Sequence, residues 1–355
     1  MRIVVDVNHP AHVHYFKNFI WEMQKRGHEV LVTASEKDLT YTLLEIYKIS
    51  FVRIGNYGKS LVRKIISVPL LDIQMLKEVI KFKPDILVGF GSIRAAHVSF
   101  IIRKPCINFE DTEHSTEQIR FYLPFVDAVC TPSCYAQDLG KKQIRFNGYM
   151  ELASLHPNRF TPNPSVLSEL GLTESDPFII IRFVSWNASH DLGQHGIRDK
   201  VKLVKALEEY GRVLITSEGG LPLDLQQYQI RISPDKLHDL LYYATLYVGE
   251  GATTASECAV LGTHSIYVNT LRLGYIGEED ERYHLVSDFS GKVCTDETVL
   301  SEVKTLLQNS DIKKEGKRKG AILVADKIDM TAFMVWFIES YPSSLDEKQK
   351  FARDN

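Results

Sequence analysis

The chain has 355 residues, 44% of them hydrophobic and 25% charged, with a formal net charge of −3. That length exceeds the usual single domain and points to two, while the near-neutral charge speaks against nucleic acid as a partner. Five cysteines without a CxxC pair speak against a disulfide scaffold or a zinc knuckle, so a reducing, cytoplasmic setting without a bound metal is expected.

The N-terminal "RIVVDV" reads as a strand, entered without the apolar core of a signal peptide. It is followed by a helix in which Val13, Phe16, Ile20 and Met23 recur at helical spacing until Gly27 ends it. "HEVLVTA" is the next strand, then a helix around 37–47, then "SFVRI" and a long helical stretch from about Val62 to Phe82. "DILVGFG", "PCINFED" and "DAVCT" are further strands, each followed by a helix-like segment. Residues 1–150 therefore read as a doubly wound parallel sheet covered by helices.

Residues 151–177 change in texture: "HPNRFTPNPS" carries three prolines in ten residues and reads as a linker. The alternation resumes over 178–320 with "FIIIRFV", a helix near 199–210, "RVLIT", "YQIRI", a helix after Pro234, "LYVG", a helix through "GATTASECAV" and "HSIYV". A last helix near 321–342 leads to a polar tail at 343–355. No apolar run approaches the roughly 18 residues of a membrane helix. The pattern predicts an α/β chain of two Rossmann-type halves facing across a cleft, with ligands at the C-terminal ends of the strands.

Five loops at those strand ends carry chemistry-bearing residues. In "GEGATTASECAVLG", Gly249–Gly262, the run from Thr254 to Glu257 fits an S/T-x-x-E capping box and needs no ligand on that ground. Gly249 and Gly251 nevertheless admit a close ligand, and a helix start offers unpaired N–H donors to an anion. The lysine of a P-loop is missing, and Thr254 stands where GxGxxG needs its third glycine. A diphosphate on those helix-start amides, with a ribose on Glu257, fits what remains.

"VNHPAHVHYF" places His9, His12 and His14 after the first strand, where each can be a loop or cap residue and position favours at least one as a general base or phosphate contact. "GFGS", with Gly91 and Ser92, is either a tight turn or part of a binding loop. "NFEDTEHST" crowds Glu110, Asp111, Glu113 and His114 into one loop, more ionisable groups than an N-cap at Asp111 or Thr112 requires. "RFVSWNASHDLG" offers Ser185, Asn187, Ser189 and His190 at the matching edge of the second half. The mixed basic and aliphatic stretch Gly58–Leu71 has the composition of a core-facing helix or of a peripheral membrane contact.

On these motifs the chain resembles the GT-B superfamily of nucleotide-sugar enzymes. It looks most like an uncharacterised, largely archaeal domain family with the pattern D-x-N-H-P-A-H-V-H. It is also similar to the GlcNAc transferase of the lipid-linked peptidoglycan precursor and to non-hydrolysing UDP-GlcNAc 2-epimerases. His12-Val13 falls on a His-Val pair of the transferase, and "GATTASECAVLGT" on its S-G-A-x-T-x-S-E-x-x-x-x-G segment, which places Glu257 on a ribose-binding glutamate. The transferase's glycine-rich first loop is missing, and "FVSWNASHD" departs from both groups.

The resemblance implies a nucleotide sugar, UDP-linked, as substrate with an unknown acceptor and no separate cofactor. Transfer in the cleft would use His12 or Asp111 as base and His190 beside the diphosphate. Gly251, Thr253, Thr254, Glu257, Ser185, Gly91, Glu110 and Glu113 would bind substrate. A 2-epimerase using Glu110, Asp111 and Glu113 is the second reading. A nucleotide-sugar sensor without turnover is the third.

Overall fold

A computed structural model describes residues 1–56, 61–183, 196–197, 199–217, 220–291 and 295–346, the side chains of 61–66 and 296 excepted. The chain divides into two compact units, 1–159 with 327–355, and 160–326.

In the first unit, β1 (Arg2–Val7), α1 (Pro10–Lys25), β2 (Glu29–Ala34), α2 (Thr40–Ile46), β3 (Phe51–Arg53), α3 (Leu61–Phe82) and β4 (Ile86–Phe90) alternate without interruption. They continue into α4 (Ile93–Ile102), β5 (Cys106–Phe109), α5 (Thr116–Tyr122), β6 (Ala128–Pro132), β7 (Gln143–Phe146) and α6 (Leu152–Leu155). The seven strands are parallel in the order β3-β2-β1-β4-β5-β6-β7. β1 and β4 are buried from Ile3 and Ile86 onward, because helices cover both faces and leave no face for water. The strand order reverses between β1 and β4, so the loops after these two strands diverge and leave a crevice at their C-terminal ends.

The second unit contains α7 (Ser165–Glu169), β8 (Phe178–Phe183), α8 (Lys200–Leu207), β9 (Arg212–Ser217), α9 (Leu237–Tyr243), β10 (Leu246–Gly249) and α10 (Ala252–Val260). It ends with β11 (Ser265–Tyr267), α11 (Gly274–Glu281), β12 (Val286–Asp288), α12 (Asp296–Leu307) and α13 (Ile312–Asp326). Its five parallel strands run β12-β11-β10-β8-β9, so the reversal falls between β8 and β10. Ile179, Ile181, Ile215, Val248 and Ile266 build the core from the sheet side.

The stretch 151–177 holds α6 in the first unit and α7 in the second. The end of the chain forms two helices rather than one, α13 and α14 (Met330–Glu339): the first stops at Asp326, and Asp329 caps α14 through the Ala332 amide at 3.0 Å. α14 belongs to the first unit: Thr331 donates to the Ala153 carbonyl at 2.8 Å, and Glu339 pairs with Arg26 at 2.7 Å. "YQIRI" is not a strand. It meets β9 through a single bridge between Gln229 and Ile215, since the prolines at 222 and 234 and the short helical turn Leu223–Tyr228 confine it.

Candidate functional site

At the β1/β4 reversal the first unit buries an ion pair. Asp6 lies in register with Gly89 of β4, and its Oδ1 is 2.7 Å from Nη2 of Arg94; both side chains are fully buried. Ser92 and Thr33 donate hydroxyls to Asp6 at 2.5 and 2.7 Å, and Asn8 donates its amide at 2.9 Å. Burial alone would raise the Asp6 carboxyl, yet the Arg94 charge and the two hydroxyls hold it below its ordinary value. Arg94 also donates to Ser35 at 2.7 Å and to the Asn8 side chain. The "GFGS" turn is the frame of this network: Ser92 caps α4 by accepting from the Ala95 amide at 3.0 Å. Gly91 has a φ of +49°, and a Cβ there would meet Gln118 and Glu110.

The network fixes the loop that carries the histidines. His9 is the N-cap of α1, its ring accepting from the Ala11 amide at 3.2 Å. His12, three residues on, is partly exposed. Its Nδ1 accepts from the Asn8 amide at 3.3 Å, which leaves the proton on Nε2. The ring lies 4.8 Å from Phe90 and 6.3 Å from Tyr15, and its pKa is pushed down to about 3 by burial first and by Lys37 second. His14 is buried, with Nδ1 3.4 Å from the Tyr47 hydroxyl, and takes no place at this edge.

The loop after β5 adds three carboxylates, joined by a fourth from the approach to α6. Glu110, Asp111, Glu113 and Glu151 are each buried. Glu110 accepts from the Asp111 and Thr112 amides at 3.2 and 3.0 Å and from the Tyr122 hydroxyl at 3.0 Å. Burial, then the charge of Asp111, pushes Glu110 up to about 8. Asp111 is raised well above its ordinary value, by burial first and then by Glu151 and Glu113. Neither Asp111 nor Thr112 caps α5, which begins at Thr116 after Ser115; the Thr112 hydroxyl donates to Asp111 at 2.9 Å instead. Glu113 accepts from the Ala136 amide at 3.2 Å. Tyr15 donates to Glu151 at 3.2 Å, which ties the His12 helix to the acidic group.

In the second unit α10 starts at the β8/β10 reversal. Its N-cap is Gly251, and no side chain caps it. The expected capping box is therefore not formed: Thr254 is the third residue of the helix and Glu257 the sixth, beyond reach of its N-terminus. Glu257 turns to α9, where its Oε1 lies 2.9 Å from Nε2 of His238, both residues buried. Gly249 has a purpose other than ligand access, since a Cβ there would collide with the Tyr247 hydroxyl. Glu250, also buried, accepts from the Ile197 amide at 3.0 Å. Gly251 and Thr253 stay partly exposed at the start of the helix, and Thr254 is buried.

His12, Glu110, Asp111 and Glu113 thus share one sheet edge with Gly91, while Gly251, Thr253, Thr254 and Glu257 share another. Ser185 and His190 lie outside the described residues. Asp6, Arg94, Glu151 and His238 join these groups; of the four only Asp6 falls within a sequence pattern, the first position of D-x-N-H-P-A-H-V-H. Among the described residues no group of three or more His, Cys, Asp or Glu is arranged to hold a metal ion.

With this geometry, the family described as "Protein of unknown function (DUF354)" matches residues 1–338. "Uncharacterized protein MJ0665" of Methanocaldococcus jannaschii is 26% identical over 347 residues, 92% of this chain and 95% of that protein. Among solved structures, the UDP-GlcNAc 2-epimerase of Neisseria meningitidis bound to UDP-GlcNAc aligns over 92% of this chain and 99% of that one, with a TM-score of 0.63 and 12% identity. The Streptomyces sp. SF2575 glycosyltransferase SsfS6, complexed with thymidine diphosphate, aligns over 96% and 99%, with a TM-score of 0.64 and 15% identity. At such identities the likeness is one of fold: two parallel-sheet α/β domains of GT-B type.

Proposed function

The chain belongs to the DUF354 family, and from that premise we propose that it is a nucleotide-sugar-dependent glycosyltransferase, with a UDP-linked donor and no requirement for a metal ion. The observation that carries this reading is the start of α10: a helix N-terminus without a side-chain cap, at the strand reversal of a parallel sheet, followed by two threonines. The amides of that first turn and the hydroxyls of Thr253 and Thr254 take the diphosphate, and Glu257, oriented by His238, takes the ribose hydroxyls. The same amides stabilise the departing UDP as its charge develops.

The first unit supplies the proton chemistry in this reading. A neutral His12 with its proton on Nε2 is a hydrogen-bond donor to phosphate or sugar rather than a base, since Nδ1 is already engaged. Asp111 is the better base for an acceptor hydroxyl, because burial and the charges of Glu151 and Glu113 raise its affinity for protons.

One observation favours a 2-epimerase as the second reading. Glu110, pushed up to about 8, holds a proton at neutral pH that can be delivered to a leaving or returning group. Incubation with UDP-GlcNAc alone, followed by proton NMR, separates the two: appearance of the manno epimer without an acceptor overturns the transferase assignment. A thermal-shift series over nucleotides and nucleotide sugars tests the common ground, since specific binding raises the melting temperature by mass action. If UDP binds and no substrate is ever turned over, the protein is a sensor. If no nucleotide stabilises it, the nucleotide site itself is refuted.

A further inference from the structure

We propose that the outer face of α3, α4 and α5 docks this protein on an anionic membrane surface. Leu70, Ile73, Ile80, Phe100, Ile101 and Phe121 are each more than half exposed, where large apolar side chains normally occur singly. On α3 the exposed positions Pro69, Leu70, Ile73, Gln74, Lys77, Ile80 and Lys81 fall within one arc of about 140° at about 100° per residue.

That stripe is continuous with the ends of the next two helices. His97 of α4 reaches Asp72 of α3 at 2.8 Å and the Phe121 carbonyl of α5 at 3.1 Å. Phe125, just beyond α5, touches the rings of His97 and Phe100 at 4.9 and 5.2 Å between centroids. These contacts join the exposed aliphatic and aromatic groups into one surface.

Its charge identifies the occupant. Lys77, Lys81, Arg103, Lys104 and Arg120 are exposed on or at the ends of these helices. Of the acids the three helices carry, Asp72 is engaged by His97 and Glu78 by Lys81 at 2.9 Å, which leaves Glu117. A chain of net charge −3 has thus gathered cations around its exposed apolar groups. A second copy fits poorly, because a two-fold contact would set these lysines and arginines against their own images, and lysine is depleted from interface cores. Anionic headgroups meet the cations while the apolar groups enter the acyl boundary, the arrangement of a helix lying in the interface plane. No helix among the described residues is long and apolar enough to cross a membrane, so attachment through this face is peripheral.

The test is co-sedimentation with phosphatidylcholine vesicles, with and without phosphatidylglycerol, at low and high salt. The expected result is binding that requires phosphatidylglycerol, weakens with salt, and falls about fivefold for each cation removed in Lys77→Gln and Lys81→Gln. Phe100→Ser with Phe121→Ser should weaken binding at either salt concentration. The substituted side chains are exposed, and circular dichroism and melting temperature check that the fold is kept; the lysine variants carry the test alone if the aromatic ones unfold. Absence of binding, or equal binding to phosphatidylcholine alone, overturns the proposal. So does a dimer seen by analytical ultracentrifugation that Phe100→Ser dissociates.

Discussion

The C-terminal edges of the two sheets are alike in topology and unlike in chemistry. In the first unit the edge is charged and deeply buried: the pair Asp6 and Arg94 sits below the loop of His9 and His12, and four carboxyl groups crowd the adjoining loops. Among the described residues of the second unit the edge is chiefly backbone: an uncapped helix N-terminus, two threonines, the buried Glu250, and a glutamate held by one histidine. The comparison teaches a division of labour. Low dielectric and close charges shift proton affinities, as they do at Glu110 and Asp111, whereas amide donors bind an anion without any titration.

The largest expected effect breaks the first edge. Arg94→Leu leaves the Asp6 carboxylate buried without its cation and should cost about 3–5 kcal/mol in urea unfolding. Asp6→Asn combined with Arg94→Leu should recover part of that loss, because the uncompensated charge is gone. If the two costs simply add, the pair is not a unit, and the first edge is no more electrostatic than the second.

A pH series sharpens the same contrast. Glu110 has a folded pKa of about 8 against an ordinary value of 4.5, so the native state keeps a proton the unfolded chain releases. Its stabilising contribution is complete below about pH 4.5 and is lost as the pH rises through about 8, amounting to about 3 kcal/mol by pH 7. Glu110→Gln mimics the protonated group, so its melting temperature should fall less than that of the parent protein between about pH 5 and pH 8. A parallel fall in both proteins would show that another group holds the proton.

These groups differ in how far the sequence reveals them. Alternating apolar runs reveal β1, β2 and β4, since strands covered on both faces are apolar throughout. "YQIRI" carries the same alternation and forms no strand, because pairing at the edge beyond β9 is a tertiary event that the alternation does not encode. Asp6 did leave a signal, a charge inside an otherwise apolar strand, which demands a buried partner. The identity of that partner is a different matter, since Arg94 is 88 residues away. The Thr254-x-x-Glu257 spacing suggested a cap because the motif does not say where a helix begins, and Gly251 begins it three residues earlier.

Gly249 offers a smaller perturbation of the second edge. Gly249→Ala sets a methyl group against the Tyr247 hydroxyl and should cost about 1–3 kcal/mol, as overpacking does. That hydroxyl is buried and has no close hydrogen-bond partner among the described residues, so Tyr247→Phe should be close to neutral and should restore the stability of Gly249→Ala. Failure of the rescue in thermal unfolding would mean that Gly249 is required by the backbone rather than by its neighbour.

The smallest effect is the one that decides what the second edge is for. Glu257 and His238 are both buried and 2.9 Å apart, so the pair is either a packing contact or a carboxylate held in place for a ligand. Glu257→Gln keeps the volume and one acceptor oxygen but loses the charge. It should weaken UDP binding about tenfold, near 1.4 kcal/mol, in calorimetric titration. His238→Phe keeps the packing and removes only the orienting contact, and should weaken UDP less than Glu257→Gln does. The ordering matters more than either magnitude. If His238→Phe destabilises the fold while both variants bind UDP as the parent does, the pair belongs to the core of the second unit, and the ribose must be held by groups other than Glu257.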